Sequence, residues 1–185
     1  MVSLTALWLP ILLSAVAVFV ASSLVHMVLG YHKNDYGKVP TEDAVMDDLR
    51  KANLPPGEYL VPHPGSRDHM RSEEYKNKVN RGPVLILTVM TGFFAMGKRF
   101  GQWFVYLLVV GWLAGCLAVH TIAPGAAFRR VFGVVGLVTF AAYGMALWQG
   151  AIWYSRSWST ALKSNIDAVI YAVITAGIFG WLWPR

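Results

Sequence analysis

The chain has 185 residues, 56% of them hydrophobic and 14% charged, with a formal net charge of +6. A chain of this size and hydropathy has room for one small helical bundle. Residues 31–82 hold nine basic and nine acidic side chains, which cancel, so no basic stripe remains for nucleic acid and the lipid bilayer is the expected electrostatic partner.

Four long stretches contain no Asp, Glu, Lys or Arg. They lie before Lys33 and in the intervals 100–128, 131–155 and 168–184. Each is about as long as the roughly 17–25 residues that an α-helix needs to cross ~30 Å of hydrocarbon. The sequence therefore predicts an all-α membrane protein, a bundle of four transmembrane helices that one charged insert interrupts.

Residues 1–30 form the first predicted transmembrane helix, which runs from about Leu7 to Leu29. Pro10 is tolerated in its first turns. No basic residue precedes the apolar run, and the run continues past the small residues at 21–23. Both features differ from those of a cleaved signal peptide and favour an uncleaved membrane anchor.

Residues 31–101 form the predicted insert, which contains short helices. Thr41 has the character of an N-cap for an amphipathic helix that ends before Asn53. A second short helix is expected from Glu73 to Val79, with Ser72 as its N-cap.

Residues 58–61 and 84–89 of the insert have the composition of β-strands. The second run belongs to an apolar segment, residues 83–97, which as a helix would reach only roughly 22 Å. A fifth span with snorkelling ends is one interpretation of this segment. Its Gly, Pro and β-branched content favours the other, a strand and an apolar loop against the bilayer, and hence four spans.

Residues 102–185 hold the other three predicted spans, at about Gln102–Val119, Val131–Trp153 and Asn165–Trp183. Tyr and Trp collect near the ends of the spans, as they do in interfacial belts. With four spans, basic residues are more numerous on the side of the insert. The positive-inside rule then places the insert in the cytoplasm and both termini in the periplasm.

Two parts of the chain carry a resemblance to a known family. They are Tyr-His-Lys-Asn-Asp-Tyr at 31–36, and the segment from Trp-Tyr-Ser-Arg-Ser-Trp-Ser-Thr at 153–160 to Trp-Leu-Trp-Pro at 181–184. Through them the chain resembles an uncharacterised family of small bacterial polytopic inner-membrane proteins with no assigned function. The resemblance implies a bacterial inner (cytoplasmic) membrane and supplies no activity and no functional residue.

Two histidines near the ends of spans, His26 and His120, are the candidate cofactor ligands. Two histidines at matching depth could ligate a b-type haem. In the four-span arrangement these two lie in opposite leaflets, so the preferred interpretation is interfacial hydrogen bonding and no cofactor. His63 and His69 have no third ligand at a useful spacing, so no metal site is predicted there. No catalytic motif occurs in the sequence, and an enzyme is not favoured.

Asp167 is the only acid outside the insert. With Gln149 it forms the candidate intramembrane polar site, because an acid within a span indicates a proton relay, an ion site or an ion pair, here with Arg156 or Lys163. Alternatively, Ser164 or Asn165 is an N-cap, and Asp167 lies in the first helical turn, where a carboxylate suits the helix dipole. The second interpretation is preferred.

Small residues recur every four positions on two predicted spans. Such ridges allow helices to approach closely in lipid, and packing within the chain is favoured over packing against another subunit. The residues are Gly111 and Gly115 on the second span and Ala168, Ala172, Ala176 and Gly180 on the last.

These features name no reaction. The preferred function is that of an accessory or assembly subunit of a membrane complex, whose insert and small-residue ridges contact a membrane protein partner or a second copy. The first alternative is a small oligomeric transporter or channel, and the second is a b-haem electron-transfer subunit. Nucleic acid is not an expected partner.

Overall fold

The computed structural model of the protein describes residues 2–92 and 96–185. It divides the chain into two compact units, one of residues 1–36 with 95–185 and the other of residues 37–94. Eight α-helices and two strands occur in the described residues. In chain order they are α1 (Trp8–Leu24), α2 (Glu42–Ala52), β1 (Gly57–Val61), α3 (Arg67–Arg71), α4 (Glu73–Arg81), β2 (Leu85–Val89), α5 (Met96–Thr121), α6 (Phe128–Gly144), α7 (Trp148–Tyr154) and α8 (Trp158–Trp181).

Shorter turns extend these helices into four long apolar ones. A 3₁₀ turn at Leu4–Leu7 precedes α1 and a π turn at Val25–Leu29 follows it, while a 3₁₀ turn at Met145–Leu147 joins α6 to α7. The predicted all-α architecture is confirmed. Four helices in the described part of the chain are long and apolar enough to cross a membrane: Leu4–Leu29, Met96–Thr121, Phe128–Tyr154 and Trp158–Trp181.

The smaller unit contains the predicted strands. β1 and β2 pair in an antiparallel ladder with Gly57 opposite Val89 and Val61 opposite Leu85. The expectation of a strand in the ambiguous 83–97 segment is therefore confirmed, although residues 93–95 of that segment lie outside the described residues. β2 occupies the middle of the apolar run, and this favours four spans over five.

Two of the three short helices described in the same unit begin with a side-chain cap. The hydroxyl of Ser72 accepts a hydrogen bond from the Tyr75 backbone N–H at the start of α4, as predicted. Thr41 precedes α2, but its side chain makes no capping bond. Helix α3 was not predicted; the hydroxyl of Ser66 caps it by accepting a hydrogen bond from the His69 backbone N–H.

In the helical unit, α1 and α5 are antiparallel neighbours. Gly115 lies beside the side chains of Leu4 and Leu7, in the 3₁₀ turn that precedes α1. Near the other end, the indole N–H of Trp103 donates a 2.9 Å hydrogen bond to the Ser22 hydroxyl. Gly111 faces Ile11 and Ser14 between these points.

Helices α6 and α8 form a second antiparallel pair. A Cβ at Gly136 would lie 3.4 Å from the Cβ of Ala176, and one at Gly144 would lie 2.9 Å from that of Ala168. Ala172 is buried between these contacts, and Gly180 lies beside the ring of Phe128. The structure places both small-residue ridges at helix contacts within the chain.

The core of the helical unit differs between its two ends. Around the 3₁₀ turn before α1 and the end of α8, Leu7, Ala118, Val131 and Phe179 belong to one buried cluster of hydrophobic residues. Towards the other end, the buried polar side chains Asn165 and Asp167 appear. The candidate site lies at this second end.

Candidate functional site

Asp167 of α8 is the first residue of the candidate site to be placed by the structure. The expectation that Ser164 or Asn165 is an N-cap and Asp167 a first-turn acid is wrong, because α8 begins at Trp158 and Ser157 is its N-cap residue. Asp167 is therefore in the third turn, and it is 3% exposed. A carboxylate so placed requires a partner, because an unpaired buried charge is strongly destabilising.

The partner is His32, from the short connection that follows the first long helix. His32 Nε2 is 2.8 Å from Asp167 Oδ2, and His32 Nδ1 is 2.6 Å from Asp35 Oδ2. Lys163 of α8 completes the group, since its Nζ donates to Asp35 Oδ1 at 2.7 Å and to the Tyr31 carbonyl at 2.9 Å. Two carboxylates thus flank one imidazole, whose two nitrogens both face oxygen acceptors.

The charges of this group balance when His32 is an imidazolium. It then donates one N–H to Asp35 and one to Asp167, and with Lys163 the two cations equal the two anions. Burial raises the pKa of the Asp35 carboxyl, but the hydrogen bonds from Lys163 and His32 outweigh it and hold that pKa below its usual value. The network ties the chain after the first long helix to α8.

The local backbone brings His32 and Asp35 back over α8. The π turn ends at Gly30, which has φ +62°, a left-handed conformation that glycine adopts without strain. Turn hydrogen bonds from the Lys33 N–H to the Gly30 carbonyl and from the Asp35 N–H to the His32 carbonyl follow at once. The three-residue spacing between His32 and Asp35 is therefore that of one tight turn.

His26 is the third member of the site. Its Nδ1 is 3.0 Å from the Ser22 carbonyl, and its Nε2 is 4.0 Å from Asp167 Oδ2. Its ring stacks on that of His32, with centroids 4.6 Å apart and planes inclined by 4°. One ligand atom from each of His26, His32 and Asp167 lies within 4.8 Å of the others, so these three residues could hold a metal ion.

Several buried polar atoms near the site have no hydrogen-bond partner among the described residues. They are Asp167 Oδ1, Asn165 Oδ1 and the hydroxyl oxygens of Tyr31 and Tyr171. Buried polar atoms are normally paired, and an unpaired carboxylate oxygen is an unusual feature in an apolar bundle.

A cavity of about 630 Å³ adjoins Asp167 and His26, between the first long helix, α5, the end of α6 and α8. Much of its wall is aromatic, and the indole of Trp103 is fixed by its bond to Ser22. The main lining side chains are Phe100, Trp103, Tyr143 and Tyr171, with His26, Arg99 and Asp167 as the charged or titratable ones.

The remaining sequence candidates lie elsewhere. Gln149 is exposed on α7 and does not line this cavity. His120 is exposed near the end of α5, seventeen residues beyond Trp103 and so about 25 Å along the helix axis from the His26 end. The chain does not bring His26 and His120 together for bis-histidine ligation of one haem.

His32 and Asp35 were not predicted as members of the site, and Lys163 was considered only as an ion-pair partner of Asp167, whereas the structure pairs it with Asp35. The only indication was the pairing of a histidine and an acid three residues apart, directly after a long apolar helix. Comparisons with protein-family models, curated proteins and solved structures found no match.

Proposed function

We propose that the protein is a four-span protein of the bacterial inner membrane that binds a small ligand in the cavity beside Asp167. Four helices of sufficient length and hydropathy support insertion. The resemblance at residues 31–36 supports the bacterial setting. The observation that carries the binding function is a 630 Å³ aromatic cavity with a buried carboxylate at its side.

The basic residues support an orientation with residues 31–101 in the cytoplasm and both termini in the periplasm. In a Cys116→Ala background, a cysteine introduced at Ser3 should be labelled by a membrane-impermeant reagent in intact cells. Cysteines at Ser66 and Ser157 should be labelled only after permeabilisation. Labelling of Ser66 or Ser157 in intact cells, with Ser3 protected, would contradict this orientation.

The ligand that fits the cavity is a small, largely apolar molecule with one polar group. Aromatic walls favour a flat or aliphatic body, while His26 and Asp167 adjoin the cavity as candidate partners for a polar group. At the opposite end, Leu7 and Phe179 belong to a buried hydrophobic cluster. This packing favours a binding site closed at one end over a continuous channel within one chain.

A cavity-filling variant tests the binding function. Native mass spectrometry of the protein in mild detergent should show a small molecule bound to the parent at one per chain. Ser23→Trp, which places an indole in the cavity wall, should lose it. Leu137→Trp is the matched control, because Leu137 is 71% exposed on α6 and lies outside the cavity. The same amount of bound small molecule in all three proteins, or no bound molecule in the parent, would contradict the proposal.

A second candidate is the accessory or assembly subunit, and the smaller unit favours it. None of its described residues, 37–92, is buried, and α2 exposes Val45, Met46 and Leu49 along one side. A photo-crosslinking residue at Met46 should capture a membrane protein partner in cells, whereas one at Asp48 should not. Crosslinks that do not differ between the two positions would count against this role.

A further inference from the structure

In both histidines of the site, Nε2 is the ring nitrogen that lies near the Asp167 carboxylate. Nδ1 of His26 faces the Ser22 carbonyl and Nδ1 of His32 faces Asp35, and both partners are hydrogen-bond acceptors. In the neutral form of each ring the proton is on Nδ1, and Nε2 then directs its lone pair towards Asp167. A cation must therefore lie between His32 Nε2 and Asp167: either the proton of the imidazolium described above or a metal ion.

We propose that His26, His32 and Asp167 bind one divalent first-row transition metal ion, of which Zn²⁺ is the representative. This site goes beyond the proposed ligand-binding function and does not depend on it. Two imidazoles and one carboxylate are a ligand set that Zn²⁺ and Fe²⁺ accept. The metal replaces the proton that otherwise lies between His32 and Asp167.

Small movements convert the observed arrangement into a coordination shell. The His32–Asp167 separation is 2.8 Å and the His26–Asp167 separation is 4.0 Å. Two ligands at about 2.1 Å from one ion lie roughly 3–3.4 Å apart. His32 therefore withdraws slightly, His26 approaches, and the stacked rings splay so that both lone pairs meet the ion.

The surroundings of the site support this movement. The His26 side chain is 52% exposed and lies in the π turn Val25–Leu29, and π turns within helices are frequent at functional sites. His32 is held more firmly, because Asp35 accepts its Nδ1–H. A carboxylate behind a ligating histidine fixes the tautomer and raises the basicity of the ligand nitrogen.

Two sources can supply the remaining donor atoms of the metal's coordination shell. Asp167 Oδ1 is buried and unpaired, so the carboxylate is free to become bidentate. The cavity lies beside His26 and Asp167, which leaves a coordination position for water or a ligand atom. Three protein ligands with one open position are typical of zinc sites that carry out chemistry, whereas structural sites are closed by four.

Metal titration of the purified, tag-free, chelator-treated protein tests the site. We expect one Zn²⁺ per chain by calorimetry, with binding at least tenfold weaker in His26→Gln and in Asp167→Asn. His120→Gln is the matched control and should bind as the parent does. Absence of binding to the folded parent, or equal binding in all variants, would overturn the proposal.

Cobalt gives a readout that does not rely on loss of binding. A His26→Cys variant should retain Co²⁺ and add a thiolate-to-cobalt charge-transfer band that the parent lacks, since its Cys116 is on α5 and outside the site. The variant keeps a small side chain at an exposed position, so folding is preserved. A Co²⁺ spectrum identical to that of the parent would show that residue 26 is not a ligand.

Discussion

His32→Ala should lower the free energy of unfolding by about 3–5 kcal/mol, the range found when one partner of a buried ion pair is removed. The variant leaves Asp167 and Asp35 without the imidazole that lies 2.8 Å and 2.6 Å from them. Loss of the imidazole costs more at Asp167 than at Asp35, because Lys163 still pairs with Asp35. Denaturant unfolding in detergent micelles, followed by circular dichroism, measures the change.

His120→Ala is the control for this prediction. His120 is exposed near the end of α5, and substitutions at such positions usually change stability by less than about 0.5 kcal/mol. If the two alanine variants unfold at the same denaturant concentration, His32 does not stabilise a buried charge.

Gly144→Ala should destabilise the contact between α6 and α8 by about 1–3 kcal/mol, the usual cost of overpacking. The added methyl carbon would lie 2.8 Å from Asn165 Oδ1 and 2.9 Å from the Ala168 Cβ. An alanine methyl cannot rotate away, so the helices must separate. Thermal unfolding in detergent should show a lower midpoint.

Gly133→Ala is the matched control on the same helix. A methyl group there meets no atom within 4 Å, and alanine is favoured over glycine in a helix by up to about 1 kcal/mol. Gly133→Ala should therefore be neutral or stabilising. A Gly144→Ala protein as stable as Gly133→Ala would show that the two helices do not approach as closely as the structure indicates.

The helices and strands followed largely from local sequence. Intervals without ionic residues predicted the four apolar helices, and β-branched composition predicted β1 and β2. The predicted helix boundaries were less accurate where charged residues lie within a helix. α8 begins at Trp158 rather than near Asn165, because Lys163 and Asp167 are accommodated by partners that lie far away in the sequence.

The site could not be predicted in the same way, because it depends on a tertiary contact. His32 and Asp167 are separated by 135 positions, and neither residue has a neighbour in sequence that indicates the other. The sequence analysis singled out the lone acid Asp167, but the preferred interpretation of it as a first-turn residue is wrong, because α8 begins at Trp158 and not near Asn165.

The central claim is that His32 and Asp167 form one buried site between the end of the first long helix and α8. A double-mutant cycle with His32→Ala, Asp167→Asn and the double variant tests it most directly. Once Asp167 is a neutral amide, loss of His32 leaves no unpaired charge there, so the double variant should be less destabilised than the sum of the two single ones. We expect a coupling energy of about 0.5–3 kcal/mol. Free-energy changes that add to within about 0.5 kcal/mol would contradict the contact and the site built on it.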